Sequence, residues 1–172
     1  MNSSFDRRPG LARSGGFSLL ELCFAIVLVS AAAGTLLRAT LFSQELAEKT
    51  VMELTLLNMR SGVRLQIADK MIHGREAELD QVVASNPVNW LEKPPPGYVG
   101  EVDTAASGSL KPGDWFYDTE RKELGYIPKL TDHLGVEASP ARGLRWRMRG
   151  VRSKQGDIED LSLVSVTRYT WF

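Results

Sequence analysis

Cysteine, histidine and surplus charge are what this 172-residue sequence has least of. It holds one Cys and two His, and Lys plus Arg, at 21, equals Asp plus Glu, at 21. The lone Cys23 cannot close an intrachain disulfide or supply a cysteine-based zinc cluster. His73 and His133 lie far apart in sequence, so metal chemistry is poorly provisioned, and no metal or other cofactor is expected. Balanced charge removes any whole-molecule attraction for a polyanion, which argues against nucleic acid as a partner. No Ser, His and Asp combination stands in a motif such as G-x-S-x-G, so the chain reads as non-enzymatic, with no small-molecule substrate. Proline is missing from Phe17 to Asn86, and there are no internal repeats. The length suits one compact domain, and a composition of 43% hydrophobic and 24% charged residues is ordinary for one. The placement of the apolar residues is not ordinary.

Residues 1–16 are polar, with Arg7, Arg8 and Arg13 against Asp6. The segment from Phe17 to Leu37 then carries a single charge, Glu21. As a helix it would be about 31 Å long, enough to cross a bilayer core. The preceding arginines place the N-terminus in the cytoplasm and the C-terminal bulk across the membrane. A cleaved secretory signal, with Ala31-Ala32-Ala33 as its small-residue site, a lipoprotein signal at Cys23, and a plain anchor all compete for this segment. The lipoprotein reading fails on Glu21-Leu22, acidic and bulky where small residues are wanted. None of the three accounts for Glu21, because a carboxylate in hydrocarbon costs about 2.5–3.5 kcal/mol even on the lenient insertion scale.

Gly16-Phe17-Ser18-Leu19-Leu20-Glu21 resembles the processing site of type IV prepilins and type II secretion pseudopilins. The resemblance covers about a dozen residues and implies a role for each landmark. A prepilin peptidase would cut after Gly16, removing 1–16 as a leader, and methylate the new N-terminal Phe17. Glu21 would be the assembly acid that meets a neighbour's N-terminal amine. The physics agrees with that last role: a free amine at Phe17 would be cationic near neutral pH and would offset the cost of holding Glu21 in lipid. Ala31, Ala32, Ala33 and Gly34 are small enough for close helix packing. The family likeness implies a filament subunit of the inner membrane, single-pass, with a periplasmic C-terminal domain and other pilin-like subunits as partners. Arg38 departs from the pattern, since pilus-forming members often have Pro there. With no Cys pair near the C-terminus, the leaning is to a pseudopilin of a type II secretion system or a minor pilin. A minor pilin for DNA uptake or adhesion, or a membrane-anchored periplasmic binding domain, is the alternative.

The helix is expected to continue to His73, with 17–37 as its membrane or filament-core part and 38–73 as an amphipathic extension. Two apolar stripes run along the extension: Leu46, Leu54, Leu57, Leu65, Ala68, Ile72 and, nearly opposite, Met52, Leu56, Met59, Val63, Ile67. Two stripes imply two partners, the domain's own sheet and a neighbouring helix. The stripe of Leu46, Leu54, Leu57 and Leu65 is expected on the sheet; a helix buried more completely in its own domain is the alternative. Gly74 is the expected stop, and His73 the expected cation at the helix C-terminus.

Residues 74–172 read as the globular domain. A short helix is expected from Arg75 to about Val83, then a stiff connector at Lys93-Pro94-Pro95-Pro96-Gly97. Strands are expected at Tyr98–Val102, Asp114–Thr119, Glu123–Pro128, Leu144–Val151 and Leu161–Trp171, the second and third as a hairpin. The expected fold class is α+β, a long N-terminal helix packed on a C-terminal antiparallel sheet, a layout that again resembles the pilin fold. Arg142 to Lys154 is basic without an acid. It reads as a solvent-facing strand side whose arginines pair with acids such as Glu159 or Asp160, with a DNA-binding patch as the alternative. Gly156 to Asp160 reads as a solvated turn rather than a calcium loop. His133 is placed in a loop, and Cys23 is taken as a small apolar packing residue.

Overall fold

The computed structural model describes residues 18–103, 109–137, 143–152 and 158–172. The chain divides into two compact units, one ending at Leu41 and the other running Phe42–Phe172.

Helix α1 runs Leu19–Ile72, 54 residues without a break, or about 81 Å. Nothing in its sequence stops it earlier, because it lacks proline and holds only Gly34 and Gly62 as weak helix formers. Its hydroxyls bond back to its own turns: Thr35 Oγ1 donates to the Ala32 carbonyl at 2.8 Å and Thr40 Oγ1 to that of Leu36 at 2.9 Å. Gly74 ends it as expected, at φ +65°. The Gly74 amide donates to the Met71 carbonyl at 3.2 Å and the Arg75 amide to that of Lys70 at 2.8 Å, the paired bonds of a Schellman cap. His73 sits at this end, its Nδ1 2.7 Å from the Asp69 carbonyl.

The expected second helix is two short pieces, a 3-10 turn at Glu76–Glu78 and helix α2 at Leu79–Val83. Another 3-10 turn follows at Pro87–Trp90, capped by Asn86 Oδ1 accepting from the Val88 amide at 3.0 Å. This turn explains Gly62: a Cβ there would meet the Trp90 carbonyl, so only glycine lets the two backbones approach.

Among the described residues seven strands follow: β1 Tyr98–Val102, β2 Trp115–Asp118, β3 Glu123–Tyr126, β4 Leu134–Val136, β5 Leu144–Arg152, β6 Ile158–Ser165 and β7 Tyr169–Trp171. Five form one sheet in the order β1-β2-β3-β5-β6, and β4 and β7 form a two-stranded sheet. β2 and β3 make the expected hairpin. Its turn is held by Asp118 Oδ1 accepting from the Arg121 amide at 2.9 Å, and Lys122 takes the positive φ of 55° that closes it.

Two expectations for the sheet need correction, and one strand was not expected. It is not wholly antiparallel, because β1 pairs β2 in parallel. The stretch 103–114 is long enough to carry the chain back to the starting end, as a parallel neighbour requires. The single strand expected over Leu161–Trp171 is broken: the Val166 and Thr167 amides both donate to the Arg145 carbonyl, at 2.8 and 3.3 Å, and turn the chain away. β7 then pairs with β4, a three-residue strand too short to show in sequence, with Leu134 opposite Trp171.

The helix meets the sheet through the stripe that was not expected to do so. Met52, Leu56, Met59 and Val63 are buried against Trp115, Leu124, Trp146 and Leu163. The stripe of Leu46, Leu54, Leu57 and Leu65 faces outward, with Leu54 54% and Leu65 69% exposed. More complete burial of the helix is likewise ruled out. On the far face of the sheet, Leu110, Phe116 and Ile127 form a second, smaller cluster. Phe116 pairs in register with Gly125, and its ring covers that position so closely that any Cβ would collide with it.

Candidate functional site

The apolar segment is the first feature with functional content. Within α1, Leu19 (80% exposed), Leu20, Phe24, Val29 and Leu36 are all open to their surroundings. Among the described residues this is one helix long and apolar enough to cross a membrane, and none of the apolar window is buried. Glu21 lies in its first turn and is exposed. Gly34 has nothing within 4 Å of where a Cβ would stand, which leaves that side of the helix open to close approach. Cys23, taken as a packing residue, is exposed. Gly16 and Phe17, the expected cleavage and methylation positions, lie outside the described residues, as do Arg142 and Lys154 of the basic segment and Gly156 and Asp157 of the acidic turn.

Glu45 is the second feature, and sequence reasoning missed it. The residue is 2% exposed on the inward face of α1. Its Oε1 accepts from the Trp171 indole at 2.9 Å and from the His133 amide at 2.9 Å, while Oε2 meets His133 Nδ1 at 2.8 Å. Burial works to raise its carboxyl, but the bonds from the His133 side chain and backbone and from Trp171 outweigh it and hold the pKa below the ordinary value. Above the carboxylate, the His133 ring stacks on Phe172 with centroids 5.0 Å apart, and Phe42 meets both rings edge-on. His133, expected in a loop, is in the turn that leads into β4, and its side chain is part of this assembly.

One turn along, Glu48 repeats the device. Its Oε1 accepts from the Tyr126 hydroxyl at 2.7 Å and the Lys129 amide at 2.6 Å, and its Oε2 from the Leu130 amide at 3.1 Å. Burial and the bond to Glu48 push the Tyr126 phenol well above its ordinary range, so it stays a donor. Lys49 adds a bond from Nζ to the Trp171 carbonyl at 2.8 Å. Three polar side chains, those of Glu45, Glu48 and Lys49, thus pin this segment of α1 to residues 126–133 and to β7. Only the i, i+3 spacing of Glu45 and Glu48 hinted that both face one way.

The basic strand also differs from expectation. Leu144, Trp146 and Met148 do alternate inward, but Arg145 is not solvent-facing; it is 3% exposed. Its Nη1 meets Asp118 at 3.1 Å and Glu123 at 3.5 Å, and its guanidinium lies over the Phe116 ring. Arg147 reaches Glu123 at 2.6 Å. Glu123 stands opposite Arg147 in the β3–β5 register, while Arg145, opposite Gly125, reaches across to Glu123 and to Asp118 of β2; the side chains of Glu159 and Asp160, the expected partners, are outside the described residues. Two of the cations that a DNA-binding patch would need are thus committed within the fold.

A half-open cavity of about 460 Å³ lies beside the inward stripe. Ala47, Val51 and Met52 of α1 form one wall, Trp115 and Tyr126 another, and Gln44, Glu48 and Lys129 reach its rim. No family model, no curated protein and no solved structure matches the chain.

Proposed function

We propose that the chain is a non-enzymatic, pilin-like subunit of a periplasmic filament, a pseudopilin of a type II secretion system or a minor pilin. In this reading a prepilin peptidase removes 1–16 and methylates Phe17. The subunit waits in the inner membrane as a single-pass protein with its globular domain in the periplasm. The observation that carries the reading is Glu21, a lone carboxylate in the first turn of an exposed apolar helix. An acid there is a liability for a simple anchor and an asset for a subunit that must meet a cationic amine. The outward stripe on the same helix supports it, because a domain already packed on its own sheet has no internal use for Leu54, Leu57 and Leu65.

The test is Glu21→Ala in the full-length protein. Insertion and leader removal should persist, since losing the acid makes the helix easier to hold in lipid. Cross-linking to other filament subunits, compared at equal membrane levels, should fall at least tenfold, because an amine left unpaired in a low-dielectric setting costs about 3–5 kcal/mol. Undiminished cross-linking would remove Glu21 from the mechanism. The second reading, a membrane-anchored binding domain, is favoured only by the half-open cavity, and it predicts an N-terminus that is never cut.

A further inference from the structure

The Phe42–Phe172 unit carries two unlike surfaces for which its own fold has no use. One is the cavity, one of whose walls is formed by Trp115 and Tyr126, their rings 4.6 Å apart. The other is the outward ridge of Leu46, Leu54 and Leu57. They match in length: the cavity follows α1 from Gln44 to Thr55 and the ridge runs from Leu46 to Leu57, each about 16 Å along the axis.

They also match in charge. The ridge is flanked by Glu53, half exposed and only 4.0 Å from Lys49 at its nearest. The cavity rim carries the exposed Lys129, whereas both oxygens of Glu48 are engaged by Tyr126, Lys129 and Leu130. Ridge and cavity stand on different sides of the helix, roughly 140° apart at ~100° per residue. One neighbour therefore cannot fill the cavity and cover the ridge in a single two-fold contact.

We propose that the ridge of one copy seats in the cavity of the next, with Glu53 of the first facing Lys129 of the second. The contact is heterologous, so it repeats from copy to copy without closing. It has the form of an amphipathic helix laid in an apolar groove. A stable free-standing interface needs about 800 Å² on each side, and three half-exposed leucines fall short of that. The contact therefore holds copies that a membrane has already brought together. The inference rests on the filament reading above and adds to it the receiving surface and the identity of the partner as a second copy.

The experiment uses the full-length chain in membranes with Cys23→Ser as background. Gln44→Cys and Leu54→Cys are introduced singly and together and treated with a short bismaleimide. The doubly substituted chain should give a ladder of dimer, trimer and higher species, and neither single variant should pass dimer. Adding Glu53→Lys should lower the yield of trimer and above by about two- to fivefold, the effect of an exposed ion pair. Adding Lys129→Glu to that variant should restore it. A product that stops at dimer, a ladder indifferent to Glu53→Lys, or a charge swap that restores nothing overturns the proposal. If an amine-reactive cross-linker still gives multimers of the unmodified chain, the filament reading survives that failure. If no multimer forms by either chemistry, both fall.

Discussion

Glu45 and His133 are 88 residues apart in sequence, yet the Glu45 carboxylate accepts from both the amide and the ring of His133, at 2.9 and 2.8 Å. The bond ties the beginning of the Phe42–Phe172 unit to the turn before β4. Together with the indole of Trp171 it makes a buried acid the organising point of that end of the domain.

Acid stability follows from that geometry. The folded pKa of Glu45 lies below its ordinary value of 4.5, so its stabilisation is complete above that value and is lost as pH falls through the folded pKa. In a truncated chain beginning at Phe42, Glu45→Ala should cost about 3 kcal/mol at neutral pH, because the indole and an amide lose their acceptor. Glu45→Gln keeps an acceptor oxygen and should cost only about 1 kcal/mol. It should also flatten the loss of stability below pH 4.5 relative to wild type. Urea unfolding of the three proteins at stepped pH checks both, and equal acid sensitivity of wild type and Glu45→Gln would refute the assignment.

Leu56 and Leu57 are adjacent in sequence and opposite in environment, 3% and 52% exposed. In the same truncated chain, Leu56→Ala should destabilise by about 2–4 kcal/mol through lost burial and the cavity left behind. Leu57→Ala should stay within about 0.5 kcal/mol. The reverse order would restore the stripe assignment that the sequence had favoured. A truncated chain with no cooperative unfolding would count against the division at Phe42.

Gly125 is constrained by the ring of Phe116 rather than by its own backbone. Gly125→Ala should cost about 1–3 kcal/mol by overpacking. Phe116→Leu, made in the Gly125→Ala protein, should recover part of that loss. A double-mutant cycle on chemical unfolding measures the coupling, and strict additivity would contradict the account.

Much of this architecture is legible in the residues alone. The missing prolines and the glycine at 74 mark the helix and its end, and Thr119 to Glu123 marks the hairpin. The two helix stripes, by contrast, are equally apolar on a helical projection. Only tertiary packing decides that Met52, Leu56 and Met59 turn inward. Arg145 alternates with apolar neighbours and so reads as exposed; its burial depends on Asp118 and Glu123 lying across the strands. Glu45 meets His133 and Trp171 only through long-range contacts that no local pattern encodes. The expected processing site belongs to the opposite case: its whole argument is in residues 16–21, and its chemistry is covalent.

The central claim is therefore tested most directly by the intact mass of the protein taken from its native membranes. The account predicts a chain that begins at Phe17 and carries one added methyl group, and that keeps its leader when Gly16 is replaced by Asp. A chain that begins at Met1, or at Gly34 after a cut following Ala33, contradicts it.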